Sequence, residues 1–239
     1  MKAPYGLEVI DNCCHCELRG EDAFCNLSPD VLRIFAELSH QHTYPSGSVL
    51  FLEGQVGRGA FVLCSGSVKL STTSREGKVL ILKIAGPGEV LGLSAVLSGV
   101  VYEVTATTAS PCRVNFLKAD ALLPFLRRHG EAGLRAARAV SRGYQDACQD
   151  IQEILLAPSS AGKLAKLLLS WTQGKCIGNG DQEVRVRSVL THEEMAQMIG
   201  SSRETVTRVM SDLKKRQFIR LEGSTLVIRN LSGLEELAS

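Results

Sequence analysis

The sequence lacks a membrane-crossing run, a strong charge of either sign and the groupings that enzymes use. No apolar stretch approaches the roughly 18 residues that a bilayer span requires. The opening MKAPYGLEVIDN has no apolar core and carries early acidic residues, unlike a secretory leader. A cytoplasmic protein without membrane contact is the expectation. Net charge is only +2, with 22% charged and 44% hydrophobic residues, which describes an ordinary globular chain. Residues 159–239 hold 12 Lys+Arg against 9 Asp+Glu, a mildly basic third that is compatible with nucleic acid. There is no Ser/His/Asp grouping, no phosphate-cradling loop and no pair of acids in a plausible pocket. His40 and His42 flank the first strand and read as surface residues. An enzyme is therefore not expected.

Cysteine is what the chain has in one place. Of eight cysteines, Cys13, Cys14, Cys16 and Cys25 fall within DNCCHCELRGEDAFCNLS, residues 11–28. In a reducing compartment such a cluster points to metal binding or redox chemistry rather than a disulfide framework. Four thiolates suit zinc. Alternatively, Cys13 and Cys16 could pair as a thiol–disulfide switch, helped by the adjacent His15. Cys64 lies in an apolar strand and Cys176 near a turn, and both read as ordinary thiols. Cys148 reads as a packing residue.

At 239 residues the chain has room for two domains with real cores. SPDVLRIFAEL predicts a short helix, with Ser28 as N-cap, Pro29 at the first position and Leu32, Phe35 and Leu38 as its apolar stripe. From Gln41 to Leu117, short β-rich segments alternate with glycine turns, which predicts a β-roll or barrel. A long helical segment follows, from about Ala119 to Ala157. Within it Val140, Tyr144, Ala147, Ile151 and Ile154 form a heptad seam. An amphipathic helix packed on its own domain would show the same period. The small Ala147 and the seam's length favour a parallel helix pair in a homodimer. Pro158 breaks the helix and marks a domain boundary. The organisation is thus a Cys-rich arm (1–27), a β-roll (28–132), a dimerisation helix (133–157) and a C-terminal domain (158–239).

LTHEEMAQMIGSSRETVTRVMSDLKKRQFIRLEGSTLVIRN predicts two capped helices joined at Gly200, with Thr191/Glu194 and Ser201/Glu204 as capping boxes. The alternation around EGS predicts a hairpin wing. Arg203, Glu204, Thr207 and Arg208 share the polar face of the second helix. A guanidinium offers two parallel donors to guanine, and a carboxylate accepts from cytosine. Ser201, Ser202, Thr205 and the helix N-terminal amides are placed to hold phosphates.

SSRETVTRVMSDLKKRQFI closely resembles the recognition helix of the CRP/FNR superfamily of bacterial transcription regulators, and the upstream plan fits from about residue 25 to 230. The resemblance implies an α+β fold: a cyclic-nucleotide-binding-like β-roll, a long dimerisation helix and a winged helix-turn-helix. It implies that Arg203 and Arg208 read guanines and Glu204 a cytosine of a TGTGA-type half-site in double-stranded DNA, and that RNA polymerase is a partner. It suggests that repulsion between two copies of Asp150 opposes pairing of the seam. The family's nucleotide-binding members carry a Gly-Glu segment, which this chain keeps as Gly88 and Glu89. Where their phosphate-binding arginine should stand, it has Val100 and Val101. The arm is similar to that of the FNR branch, which implies a 4Fe-4S cluster on Cys13, Cys16, Cys25 and Cys112, with Cys14 a substitute for Cys13. The spacing from Cys16 to Cys25 is longer than in the best-known member of that branch. Zinc, a thiol switch, a cyclic nucleotide or haem are the alternative signals.

Overall fold

The structure is a computed structural model that describes residues 5, 13–16, 19–156, 159–172, 183–187, 190–223 and 225–238. The side chains of His15, Asp150, Ile151 and residues 153–156 lie outside the description, as does Cys176. The chain divides into two compact units, Met1–Asp146 and Ala147–Ser239.

In the first unit a single helical turn at Cys13–His15 precedes helix α1 (Pro29–Leu38), which buries Leu32 and Phe35. Ser28 holds the N-cap position but its side chain makes no capping bond; its amide donates instead to Glu131 Oε1 at 2.6 Å. Eight antiparallel strands follow: β1 (His40–Tyr44), β2 (Val49–Phe51), β3 (Gly59–Ser65), β4 (Val68–Thr73), β5 (Val79–Ala85), β6 (Val90–Leu91), β7 (Thr105–Thr108) and β8 (Cys112–Lys118). They form two four-stranded sheets, ordered β1-β8-β3-β6 and β2-β7-β4-β5. This is the expected roll. A short helix absent from the sequence reading, α2 (Leu93–Ser98), interrupts it between β6 and β7.

Strand alternation gives the β3–β8 ladder two faces. Phe61, Leu63, Cys112 and Val114 point into the roll, with Phe51 and Tyr102. Ala60, Val62 and Leu117 point the other way, onto Phe24, Phe35 and the helices that follow β8. The single helical segment expected from 119 is in fact two helices, α3 (Ala119–Arg128) and α4 (Gly130–Leu156), with His129 as the extended C-cap residue between them. The long helix thus begins three residues before the expected 133. Helix α3 tolerates Pro124 inside it, so the break falls after the proline rather than at it.

In the second unit helix α5 (Ser160–Ser170) is capped by Ser159, whose hydroxyl accepts from the Gly162 amide at 3.1 Å. Helices α6 (His192–Ile199) and α7 (Arg203–Lys215) form the expected pair, and Gly200 takes the left-handed conformation (φ 64°) in the turn between them. The Thr191/Glu194 capping box is present in both directions. The second cap sits one residue later than expected. Ser202, not Ser201, is the N-cap, and its hydroxyl accepts from the Thr205 amide at 3.2 Å. Strands β10 (Ile219–Glu222) and β11 (Thr225–Ile228) make the wing, and β9 (Val184–Arg187) adds a third strand beside β11 that was not expected, although VRVR alternates. Helix α8 (Leu231–Ala238) closes the described chain. Leu164, Leu168, Met195, Val206, Met210 and Leu213 are buried in the common core.

The shifted cap makes a stability prediction. Ser202→Ala should destabilise the C-terminal unit by about 1 kcal/mol, and Ser201→Ala by clearly less. Thermal unfolding of the two variants compares them. An equal or reversed ranking would return the cap to Ser201.

Candidate DNA interface and cysteine arm

Helix α7 presents the polar face that base reading needs. Val206, Met210 and Leu213 anchor one side in the core, and this leaves Arg203, Glu204, Thr207 and Arg208 exposed on the other. Among the described residues, neither Arg203 nor Arg208 is held in an ion pair. The Glu204 carboxyl titrates below the usual carboxylate range, through hydrogen bonds from its own amide and then from Ser202. It therefore stays an acceptor at any physiological pH. The remaining candidates are tied into the motif. Ser201 donates to Ser160 of α5 at 3.4 Å. Thr205 Oγ1 accepts from Ser202 at 3.1 Å. Thr207 Oγ1 lies 3.0 Å from His192 Nδ1, linking α7 to α6. Lys214 and Lys215 close the last turn, where cations suit the helix dipole.

The described part of the expected seam lies on exposed surface of α4: Val140 is 39% and Tyr144 72% exposed, and Ala147 is also exposed. The side chains of Asp150, Ile151 and Ile154 fall outside the described residues.

The arm packs on the outer face of the β3–β8 ladder. Its backbone is fixed there by the Phe24 amide, which donates to Gly88 O at 3.0 Å. Gly88 is required at this contact: it has φ +91°, and an added Cβ would stand 3.0 Å from that of Ala23. Cys13, Cys14 and Cys25 all border the same core. Asn115 of β8 donates to Cys13 Sγ at 3.1 Å. Arg19 donates to the carbonyls of Cys16 at 3.1 Å and Cys14 at 3.2 Å, folding the turn around a cation. Burial pushes the Cys13 thiol up, and pushes that of Cys25 up to about 11 with Cys16 and Cys13 adding to the shift.

Cys112 is not with them. It points into the roll, fully buried, and its thiol donates to Ser110 O at 3.1 Å and Ser67 O at 3.2 Å. Gly66 makes room for it, since a Cβ there would lie 2.7 Å from the sulfur. The implied set of Cys13, Cys16, Cys25 and Cys112 is thus divided between opposite faces of β8. Among the described residues, no three His, Cys, Asp or Glu side chains stand close enough together to hold a metal ion.

The arm also reaches α4. Arg142 pairs with Asp22 and donates to its carbonyl at 2.8 Å, and Arg135 donates to the Glu21 carbonyl. Exposed contacts of this kind add little stability, but they fix where the arm meets the helix. Sequence reasoning missed both arginines, because an exposed helical cation carries no signal of a distant partner.

The interior of the roll is packed with side chains. Tyr102 stacks on Phe51 with ring centroids 4.1 Å apart, and its hydroxyl donates to Gly59 O at 2.7 Å. Val100 and Val101 are about half exposed and offer no cation for a phosphate (49% and 44%). Glu89 is engaged elsewhere: it accepts from the Gly86 amide at 2.8 Å and pairs with Lys83 at 2.7 Å. Lys83 pairs in turn with Asp146 of α4, also at 2.7 Å.

Two family models match. The cyclic nucleotide-binding domain covers residues 41–129, and the Crp-like helix-turn-helix domain covers residues 162–237. A CRP-like cAMP-activated global transcriptional regulator of Mycobacterium tuberculosis is 27% identical, over 90% of this chain and 95% of its own length. The cyclic AMP receptor protein of Thermus thermophilus is 25% identical, over 92% and 98%. Among solved structures, a CRP/FNR-family transcriptional regulator from Thermus thermophilus superposes with TM-score 0.66 at 26% identity, over 83% of this chain and 98% of that one. FixK2 from Bradyrhizobium japonicum shares the fold with TM-score 0.72 at 17% identity, over 84% and 98%. With a cyclic-nucleotide-type roll, a long helix and a winged helix-turn-helix in this order, the chain belongs to the CRP/FNR superfamily of DNA-binding transcription regulators.

Proposed function

We propose that this regulator binds a TGTGA-like palindrome as a homodimer and that its cysteine arm, rather than a nucleotide, carries the signal. The observation behind the sensing half is the seating of the arm. Its thiols lie on the outer face of the roll against Asn115, and its Glu21–Asp22 segment is held by Arg135 and Arg142 of α4. A change in the arm therefore acts directly on the helix that carries the seam. Pairing of two seams would set the two α7 helices one helical turn of DNA apart.

The composition of the arm, not the present spacing of its thiols, supports thiol-ligated metal chemistry. Cys13, Cys16 and Cys25 would be the donors, and Arg19, which folds over the turn, would supply positive charge for their thiolate forms. An iron–sulfur cluster, when bound, supplies a group that oxygen or nitric oxide can destroy. The chain's own part is mechanical: the Gly88 contact and the two arginines hold the arm in register with α4. Zinc on the same thiols would be structural rather than labile.

A cyclic nucleotide is the second reading. It is favoured by the match to the nucleotide-binding family and by relatives named for cAMP. Against it stand the Tyr102–Phe51 stack inside the roll and the two valines where a phosphate would need a cation.

Protein purified without oxygen should contain iron and sulfide and show broad visible absorbance. Its affinity for a TGTGA palindrome, read by fluorescence anisotropy, should change on exposure to air and not on addition of cAMP. Colourless, iron-free protein whose DNA affinity rises with cAMP would replace this reading with the second. Arg142→Ala should keep the iron but blunt the response to air, because the arm no longer reports to α4; an unchanged response would remove that link. For the reading face, Arg203→Ala should cost about 1–3 kcal/mol on the palindrome and relax one guanine position. Uniform weakening on every sequence would make Arg203 a phosphate contact only.

A further inference from the structure

Thr207 differs from the other exposed residues of α7 because a side chain of a second helix holds it. Its Oγ1 lies 3.0 Å from Nδ1 of His192, the first residue of α6. His192 is half-buried, while Thr207 is exposed on the polar face with Arg203 one turn before it. A threonine hydroxyl has one proton to donate and can also accept, whereas a ring nitrogen of histidine does one or the other. Two arrangements follow. With Nδ1 unprotonated, the hydroxyl spends its proton on the ring and can only accept from DNA. With Nδ1 protonated, the ring donates and the hydroxyl proton is free to point toward DNA. A neutral ring can take either arrangement by its choice of tautomer. An imidazolium has no acceptor and permits only the second.

The two arrangements suit different bases. A hydroxyl that only accepts fits the amino group of cytosine. One that donates fits the acceptors of guanine and thymine, and phosphate oxygens as well. The charges that act on His192 are those of Lys214 and Arg203, both on α7. The carboxylates of its own helix are turned to other groups: Glu194 accepts from the Thr191 amide at 2.8 Å, and Glu193 from Gln197 at 3.4 Å. A cation at the first helical position also opposes the helix dipole. Burial, then Lys214 and Arg203, hold the imidazole below the ordinary histidine range. Duplex phosphates bring negative charge to both cations and to the ring together.

We propose that His192 is a positioning residue of the DNA-reading face: on gaining a proton it fixes the Thr207 hydroxyl as a donor toward DNA and adds a cation beside Arg203 and Lys214. This rests on α7 as the helix that meets DNA. Binding then takes up a proton, because the ring is harder to protonate in the free protein than against phosphate. The affinity gained appears as the pH falls through the ring's value in the complex, and it is complete below the value in the free protein.

The test compares full-length wild type, His192→Asn, His192→Gln and Thr207→Val at about pH 7.5 and about pH 6, which bracket the ordinary histidine range, at constant ionic strength. Wild type first selects duplexes from a randomised pool at each pH, and fluorescence anisotropy then gives affinities for them. Wild type should gain at least about threefold in affinity at the lower pH, within the roughly tenfold per pH unit that one proton allows. Its selection at one base position should move toward guanine or thymine and away from cytosine. Both His192 variants should lose most of the gain and the base shift. Thr207→Val should keep the gain, which is the ring's charge, and lose the shift. Melting temperatures at both pH values check folding. No gain in wild type, or a gain that survives in both His192 variants, would overturn the proposal. A base shift that is absent from wild type, or unchanged in Thr207→Val, would remove Thr207 and leave His192 a plain phosphate contact. A selected site other than TGTGA would correct the palindrome reading without touching this one, and failure to select any duplex would overturn both.

Discussion

The two-faced ladder of β3 and β8 is the constraint on which the first unit depends. A strand can send alternate side chains to opposite sides and no others. One side closes the roll around Phe51, Phe61 and Tyr102. The other receives the arm, α1 and the start of α4 around Phe24, Phe35 and Ala132. Because both faces are buried, neither strand can slip by one residue without exchanging the two cores. The same parity sends Cys112 inward, away from the arm.

The arm is held at three kinds of contact, and they differ in consequence. Phe24 and Leu27 are buried and supply the stabilising area. The Phe24–Gly88 backbone bond fixes register and depends on a glycine. The arginine contacts from α4 are exposed and weak, so they position the arm without locking it. A segment that is anchored at one end and lightly held along the rest is suited to reporting a local change.

The DNA-binding unit follows a simpler logic. Val206, Met210 and Leu213 fix the rotation of α7, and that rotation alone decides that Arg203, Glu204, Thr207 and Arg208 face outward. The Ser202 cap closes the first turn of the helix, and the Thr207–His192 contact ties it to α6.

The amino-acid order by itself determined the local features. Periodicity and caps marked out the roll, the long helix and the recognition helix, because these depend on residues a few positions apart. The polar face of α7 was legible for the same reason. Sequence could gather Cys13, Cys16 and Cys25, since they are neighbours in the chain. It could not say which way Cys112 turns, since that residue lies far from the arm in sequence and sits in an apolar strand. Only tertiary structure, through the pairing of β3 with β8, decides that Cys112 faces into the roll and away from the arm. The grip of Arg135 and Arg142 on the arm was equally invisible, since it joins residues more than a hundred positions apart.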